Sequence, residues 1–181
     1  MIYVFLADGF EEVEALTPID YLRRAGKTVV TVGVTGKTAV GSHGIPVVCD
    51  ITEDEIVLSD ETEGIVLPGG MPGTLNLEKS EKVNDAIGFC SENNKLLSAI
   101  CAAPSVFGHK NLLQNKKAIC FPGFEKDLYG AEIADAFAVR DGNIITAKGA
   151  GSASEFAFEL IAYFEGRKAA DDIKQSVQCC Y

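Results

Sequence analysis

The chain has 181 residues, a net charge of −10, and apolar and charged fractions of 47% and 23%. That length buries a core without disulfide or metal staples and is read as a single domain over residues 1–181. The negative charge argues against nucleic acid or an anionic membrane as partner, and no apolar run approaches the roughly 18 residues of a membrane span.

The elements follow in chain order. Ile2–Leu6 is apolar, lacks a basic flank and meets Asp8 at once, so it reads as a buried first strand and not as a signal peptide; a cytoplasmic protein is expected. Residues 11–25 form a helix interrupted at Pro18 and closed by Gly26. Residues 28–34 are β-branched and give a second strand, and residues 44–51 an outer strand or hairpin. Gly64–Leu67 is a short strand entering Pro68-Gly69-Gly70. Residues 80–92 place Val83, Ala86, Ile87 and Cys90 at helical spacing. Leu96–Ile100 is a continuous apolar strand, followed by a short helix over 102–109.

The second half continues with a strand over 117–120, then a hairpin of residues 137–140 and 144–147 around Asp141-Gly142-Asn143. Residues 154–165 form an amphipathic helix with Phe156, Ala157, Leu160, Ile161 and Phe164 on one face, and residues 168–178 a last helix. The alternation predicts an α/β, flavodoxin-like three-layer sandwich with a mainly parallel sheet and a small antiparallel hairpin. Sites in such sheets form where strand C-terminal ends meet helix N-termini.

Cys101 falls at such a place, directly after an apolar strand, before a helix, and among small neighbours in Ile100-Cys101-Ala102-Ala103-Pro104. A tight strand–nucleophile–helix turn needs small flanks, and the helix start lowers a thiol pKa. The same pattern also fits a small buried hydrophobe. Two further segments follow predicted strands and so can converge with this position: Pro68-Gly69-Gly70, whose N–H groups can face an anion, and the acidic run Asp8-Gly9-Phe10-Glu11-Glu12-Val13-Glu14. Glu11 and Glu12 read as solvated carboxylates at a helix start. With six cysteines, no Cys-x-x-Cys and two histidines, a zinc site is not expected, and no metal is assigned.

Five motifs in order carry a family resemblance: 7–14, Arg23-Arg24-Ala25-Gly26, Val66-Leu67-Pro68-Gly69-Gly70, Ala99-Ile100-Cys101-Ala102-Ala103-Pro104, and Gly149-Ala150-Gly151-Ser152 with Glu155-Phe156-Ala157. Together they resemble the ThiJ/PfpI superfamily, in the branch of the parkinsonism-associated deglycase and the bacterial YajL-type proteins. The resemblance implies that Cys101 is the reactive, oxidation-prone cysteine. It implies that Glu14 is a protonated acid bonded to its sulfur, and that Gly70 and Ala102 supply oxyanion-hole N–H groups. It also implies a homodimer with no cofactor and a small aldehyde as substrate. Cys49 matches a cysteine near the family's dimer interface, with a plain strand residue as the alternative.

One departure concerns the base. Phe121, in Cys120-Phe121-Pro122, stands where some members carry a histidine, and Ala102 where the protease-like branch does. His109 reads as a surface residue at a helix end, and His43 as a loop residue that would line the pocket only in a dimer. Cys90 and Cys120 are expected in or near the core, and Cys179 and Cys180 in an exposed tail. The function expected is a cysteine-dependent glyoxalase or deglycase acting on methylglyoxal or related aldehydes. The alternative is an oxidative-stress sensor or protective chaperone working through a Cys101 sulfinic acid. The missing histidine weakens a peptidase reading, and the lack of a phosphate loop weakens a nucleotide-binding one.

Overall fold

Short apolar runs alternating with amphipathic stretches build a doubly wound sheet in the computed structural model, which describes residues 1–179. The chain runs β1 (Ile2–Leu6), α1 (Glu12–Arg24), β2 (Val29–Gly33), β3 (Thr38–Val40), β4 (Pro46–Val48) and β5 (Ile51–Thr52). It continues through β6 (Gly64–Leu67), α2 (Gly73–Lys79), α3 (Glu81–Glu92), β7 (Leu96–Ile100) and α4 (Pro104–His109). Then come β8 (Lys117–Ala118), β9 (Glu132–Ile133), β10 (Ala138–Asp141), β11 (Ile144–Ala147), α5 (Ala153–Glu165) and α6 (Arg167–Ser176).

Seven strands form the central sheet in the order β10-β11-β7-β6-β1-β2-β5. All neighbours are parallel except the β10–β11 hairpin at one edge. The order reverses at β1, whose neighbours are β2 and β6, and a crevice opens outside the strand C-terminal ends there. The sheet is covered on both faces. Ile2, Val4 and Leu6 of β1 pack with Ile19 and Leu22 of α1 and Phe156 and Leu160 of α5. Tyr3 and Phe5 point the other way, into a core with Leu77 of α2, Val83 and Ile87 of α3, and Phe107 of α4. Each fully buried side chain of this size contributes about 1.5–3 kcal/mol.

Helix ends follow local chemistry. Ser80 caps α3 by accepting from the Val83 N–H at 3.1 Å. Glu11 caps α1, its carboxylate accepting from the Glu14 N–H at 2.7 Å. Among the described residues, no helix is long and apolar enough to cross a membrane.

Several boundaries differ from the sequence expectation. α1 continues through Pro18 instead of being interrupted there. Residues 44–51 divide in two: β4 pairs antiparallel with β3, which the sequence reading omits, while β5 joins the main sheet. Of residues 117–120 only Lys117 and Ala118 are strand, paired with β9. α2 is also absent from the sequence reading; it is a short helix that begins at a glycine and carries little apolar periodicity. Cys179 is half-buried, packed against the α1–α5 core, and not an exposed tail residue; Cys180 lies outside the described residues.

Candidate active site

Four neighbouring strands deliver their C-terminal ends to one spot. β7 ends at Cys101, β6 at Gly69-Gly70, β11 at Gly149-Ala150, and the loop after β1 leads into the first turn of α1 with Glu14. Cys101 adopts φ +67°, a left-handed conformation that non-glycine residues rarely hold, so its side chain is presented on a strained turn. The turn is pinned on both sides. The Cys101 N–H donates to the Ala147 carbonyl at 2.9 Å, and its own carbonyl accepts from the Phe121 N–H at 2.8 Å.

Gly69 and Gly70 are required by close approach. A Cβ on Gly69 would lie 2.6 Å from both the Cys101 Cβ and the Glu14 Oε2. Gly70 has φ +91°, and a Cβ there would lie 2.5 Å from the Glu11 nitrogen and the Gly9 oxygen. With the backbone this close, the N–H groups of Gly70 and Ala102 donate to the Cys101 sulfur. The Gly69 N–H donates to Glu14 Oε2 at 2.9 Å, the Ala150 N–H also donates to Glu14, and the Glu14 carboxyl shares a hydrogen bond with the sulfur.

Cys101, Glu14, Gly70 and Ala102, the four residues singled out from sequence, are therefore together. The sequence reading offered the Gly69 N–H only as one that can face an anion, not as a donor to Glu14, and gave the Ala150 N–H no role, although the glycine-rich motifs that hold them were visible. Glu14 is 1% exposed. Burial pushes its carboxyl up to about 7; the Cys101, Gly69 and Ala150 hydrogen bonds oppose this, and the Glu11 charge adds to it. Burial also pushes the Cys101 thiol up to about 12, helped by the Glu14 charge and hydrogen bond and opposed by the Gly70 and Ala102 N–H groups.

That direction is opposite to the low thiol pKa expected from the turn alone. α4 begins only at Pro104, which has no N–H, so the anion-stabilising donors here are two backbone groups and not a helix start. Two acids in contact titrate as a pair: the first proton leaves near neutrality and the second is held tightly.

The outer side of the same helix turn differs from expectation too. Glu12 is 4% exposed and not solvated. It accepts from the His43 backbone N–H at 2.8 Å, contacts His43 Nδ1 at 2.9 Å, and accepts from the Ile45 N–H at 3.4 Å. Burial opposes its ionisation, but the His43 side chain and the N–H groups of Glu12, His43 and Ile45 prevail and hold it at about 2. His43 is thereby engaged on the β3–β4 hairpin tip and is not brought to Cys101 within the chain. Glu11, Glu12 and His43 place ligand-type atoms within 4.8 Å of one another, but hairpin hydrogen bonds already engage both Glu12 oxygens.

His109 pairs with Glu78 at 2.5 Å at the end of α4, as a helix-end histidine should. Cys90 and Cys120 are core residues; Cys49 is also buried, beside Gly33. Phe121, in place of a base, is half-exposed and lines a groove with Phe137, Lys148 and Gly149.

Comparison with known proteins identifies the family and the fold. The model of the DJ-1/PfpI family matches residues 1–163. Protein dj-1beta of Drosophila melanogaster is 32% identical, over 98% of this chain and 96% of its own length. A deglycase of Pyrococcus horikoshii is 32% identical over 78% of this chain and 86% of its own. Among solved structures, oxidized DJ-1 of Toxoplasma gondii superposes with a TM-score of 0.91 at 31% identity, covering 99% of this chain and 98% of that one.

Proposed function

The chain belongs to the DJ-1/PfpI family, and we propose that it is a cofactor-independent, cysteine-dependent enzyme of the glyoxalase and deglycase type, acting on methylglyoxal or related aldehydes. One observation carries the reading: Glu14 and the N–H groups of Gly70 and Ala102 address the same Cys101 sulfur. A base and anion donors on one nucleophile suit addition to a carbonyl. The absence of a histidine base is no obstacle, because Glu14, at about 7, accepts and returns protons near neutrality.

The steps balance without an external oxidant. Glu14 takes the thiol proton as sulfur bonds to the aldehyde carbon; the carbonyl π pair moves to oxygen, is held by backbone N–H groups, and is protonated by Glu14. Glu14 next removes the hydrogen on that carbon as a proton, giving an enediolate; the hydroxyl proton passes from the former aldehyde oxygen to the former ketone oxygen, and Glu14 returns its proton to the neighbouring carbon. The former aldehyde carbon is thereby oxidised to a thioester and the former ketone carbon reduced to an alcohol. Water cleaves the thioester, releasing the 2-hydroxy acid and restoring the thiol.

A second reading rests on the same donors. The Gly70 and Ala102 N–H groups and a protonated Glu14 suit a sulfinate on Cys101, formed by two equivalents of peroxide, each reduced to water. The oxidized Toxoplasma gondii relative supports weighing it. A cytoplasmic homodimer is part of either reading. The test is methylglyoxal turnover by wild type and Cys101→Ala, with intact and peptide masses after mild peroxide. Loss of hydroxy-acid production in the variant supports the enzyme. Unchanged turnover overturns it, and two oxygens added selectively at Cys101 would then favour the sensor.

A further inference from the structure

Beside the nucleophile the sequence places a cation that the mechanism does not use. Lys148 follows β11 directly and lines a groove of about 390 Å³ together with Phe121, Phe137 and the segment 149–152. Among the described residues the Lys148 ammonium has no ion pair or side-chain hydrogen bond. It is a free positive charge in a protein of net charge −10. Only its backbone is tied down, the N–H donating to the Phe137 carbonyl at 2.9 Å.

The groove adjoins the reacting pair through shared residues. Phe121, in the lining, bonds the Cys101 carbonyl through its N–H at 2.8 Å. Gly149, the next residue, is close enough that a Cβ there would lie 3.3 Å from the Phe121 ring and 3.8 Å from Glu14 Oε1. Ala150, also in the lining, donates to Glu14. The groove therefore lies beside the turn that carries Cys101 and beside Glu14, with Lys148 among its mainly apolar lining residues. Methylglyoxal, with three carbons, leaves nearly all of a space this size empty; grooves of about 300–1,000 Å³ take much larger ligands.

We propose that this groove binds the non-reacting arm of the substrate and that Lys148 selects for an anionic end on it. The substrate class is a 2-oxoaldehyde extended by an aromatic or apolar arm bearing a carboxylate. The rings take the arm by apolar and face contacts, and the ammonium takes the carboxylate in a charge-assisted hydrogen bond. Lys148 is then a specificity-determining residue, distinct from the groups that move protons. This deepens the proposed aldehyde chemistry and rests on it for the identity of the reacting end, but not for binding of the arm.

The test separates the two. For turnover, phenylglyoxal and 4-carboxyphenylglyoxal are compared in wild type, Lys148→Gln and Lys148→Arg. The ratio of kcat/KM for the carboxylated over the plain substrate should fall about tenfold in Lys148→Gln and recover in Lys148→Arg. An unchanged ratio overturns the proposal. For binding, 4-acetylbenzoate, which lacks the aldehyde, is titrated by calorimetry into Cys101→Ala protein with and without Lys148→Gln. Affinity about tenfold weaker without the ammonium supports the groove assignment even if no aldehyde is turned over, in which case the enzyme reading alone fails. Equal affinity, or no binding of the acid at all, overturns the groove assignment even if methylglyoxal is consumed.

Discussion

Glu12 and Glu14 stand two residues apart in the first turn of α1, both buried, yet the first is held at about 2 and the second raised to about 7. Burial opposes ionisation in both, prevailing at Glu14 and being outweighed at Glu12, and the helix start favours a negative charge on both, so the helix start does not separate them. What faces each carboxyl does. The outward Glu12 meets a hairpin tip whose groups act as donors to it: the Ser42 hydroxyl, the His43 N–H and ring, and the Ile45 N–H. The inward Glu14 meets two backbone N–H groups and a hydrogen bond shared with the Cys101 sulfur, which together do not offset its burial, and the neighbouring Glu11 charge adds to the rise. One helix turn thus supplies a fixed structural charge on one side and an exchangeable proton on the other.

Glu14→Gln breaks the contrast on the reactive side and carries the largest effect. Loss of a positioned proton carrier should lower kcat for methylglyoxal by about 10²–10³. The limb of the wild-type pH–rate profile near 7 should vanish, leaving a rate that still climbs at high pH as the thiol ionises alone. Stability moves the other way. The folded-state value of about 7 lies above the ordinary 4.5, so Glu14 stabilises the fold below pH 4.5 and this contribution is lost as pH rises through 7. At pH 8, Glu14→Gln should therefore melt no lower than wild type, measured by calorimetry. A surviving limb near 7 would assign that titration to another group.

The sequence carried the inward side of this contrast better than the outward side. The Cys101 turn and the Pro68-Gly69-Gly70 loop are strand-end motifs whose composition is itself unusual, small residues about a cysteine and paired glycines after a strand, and the family resemblance supplied the roles of Glu14, Gly70 and Ala102. The parallel sheet was legible too, since β1, β6 and β7 are short, almost wholly apolar runs, broken only by the buried Ser98 in β7. Glu12 read as an ordinary helix-start carboxylate because its partners come from a hairpin about thirty residues away. That hairpin's first strand, β3, has three residues and only Ala39 buried. The thiol's raised pKa was hidden too. The turn is a local signal, whereas burial and the Glu14 charge come from folding two distant segments together.

Glu12→Gln tests the structural side, with an intermediate effect. The carboxylate's bonds to the hairpin tip are charge-assisted and buried, so their loss should cost about 1–3 kcal/mol of folding stability. Because the folded-state value of about 2 lies below the ordinary 4.5, the charge contributes fully above pH 4.5 and is lost as pH falls through 2. Urea unfolding should then show a large gap between wild type and variant at pH 7 that narrows below pH 4. Methylglyoxal turnover should fall far less than in Glu14→Gln. A loss of turnover as large as that of Glu14→Gln would mean that the two sides of the helix turn are not separable.

His43→Ala makes the smallest change and asks how much of Glu12's charge depends on a side chain. The His43 backbone N–H to Glu12 remains, so part of the clamp survives. The hydrogen bond and charge of Glu12 raise the His43 pKa above 6.5. Protonated His43 therefore adds stability that is complete below pH 6.5 and lost as pH rises through the raised value. The His43 side chain is 71% exposed, so solvent and salt screen the pair. Destabilisation by His43→Ala should thus be smaller than that by Glu12→Gln. It should be greatest near pH 5–6, fade above the raised histidine value, and shrink in high salt. A loss independent of pH and salt would show that the imidazole acts by packing against the hairpin, and that backbone donors alone set the low Glu12 value.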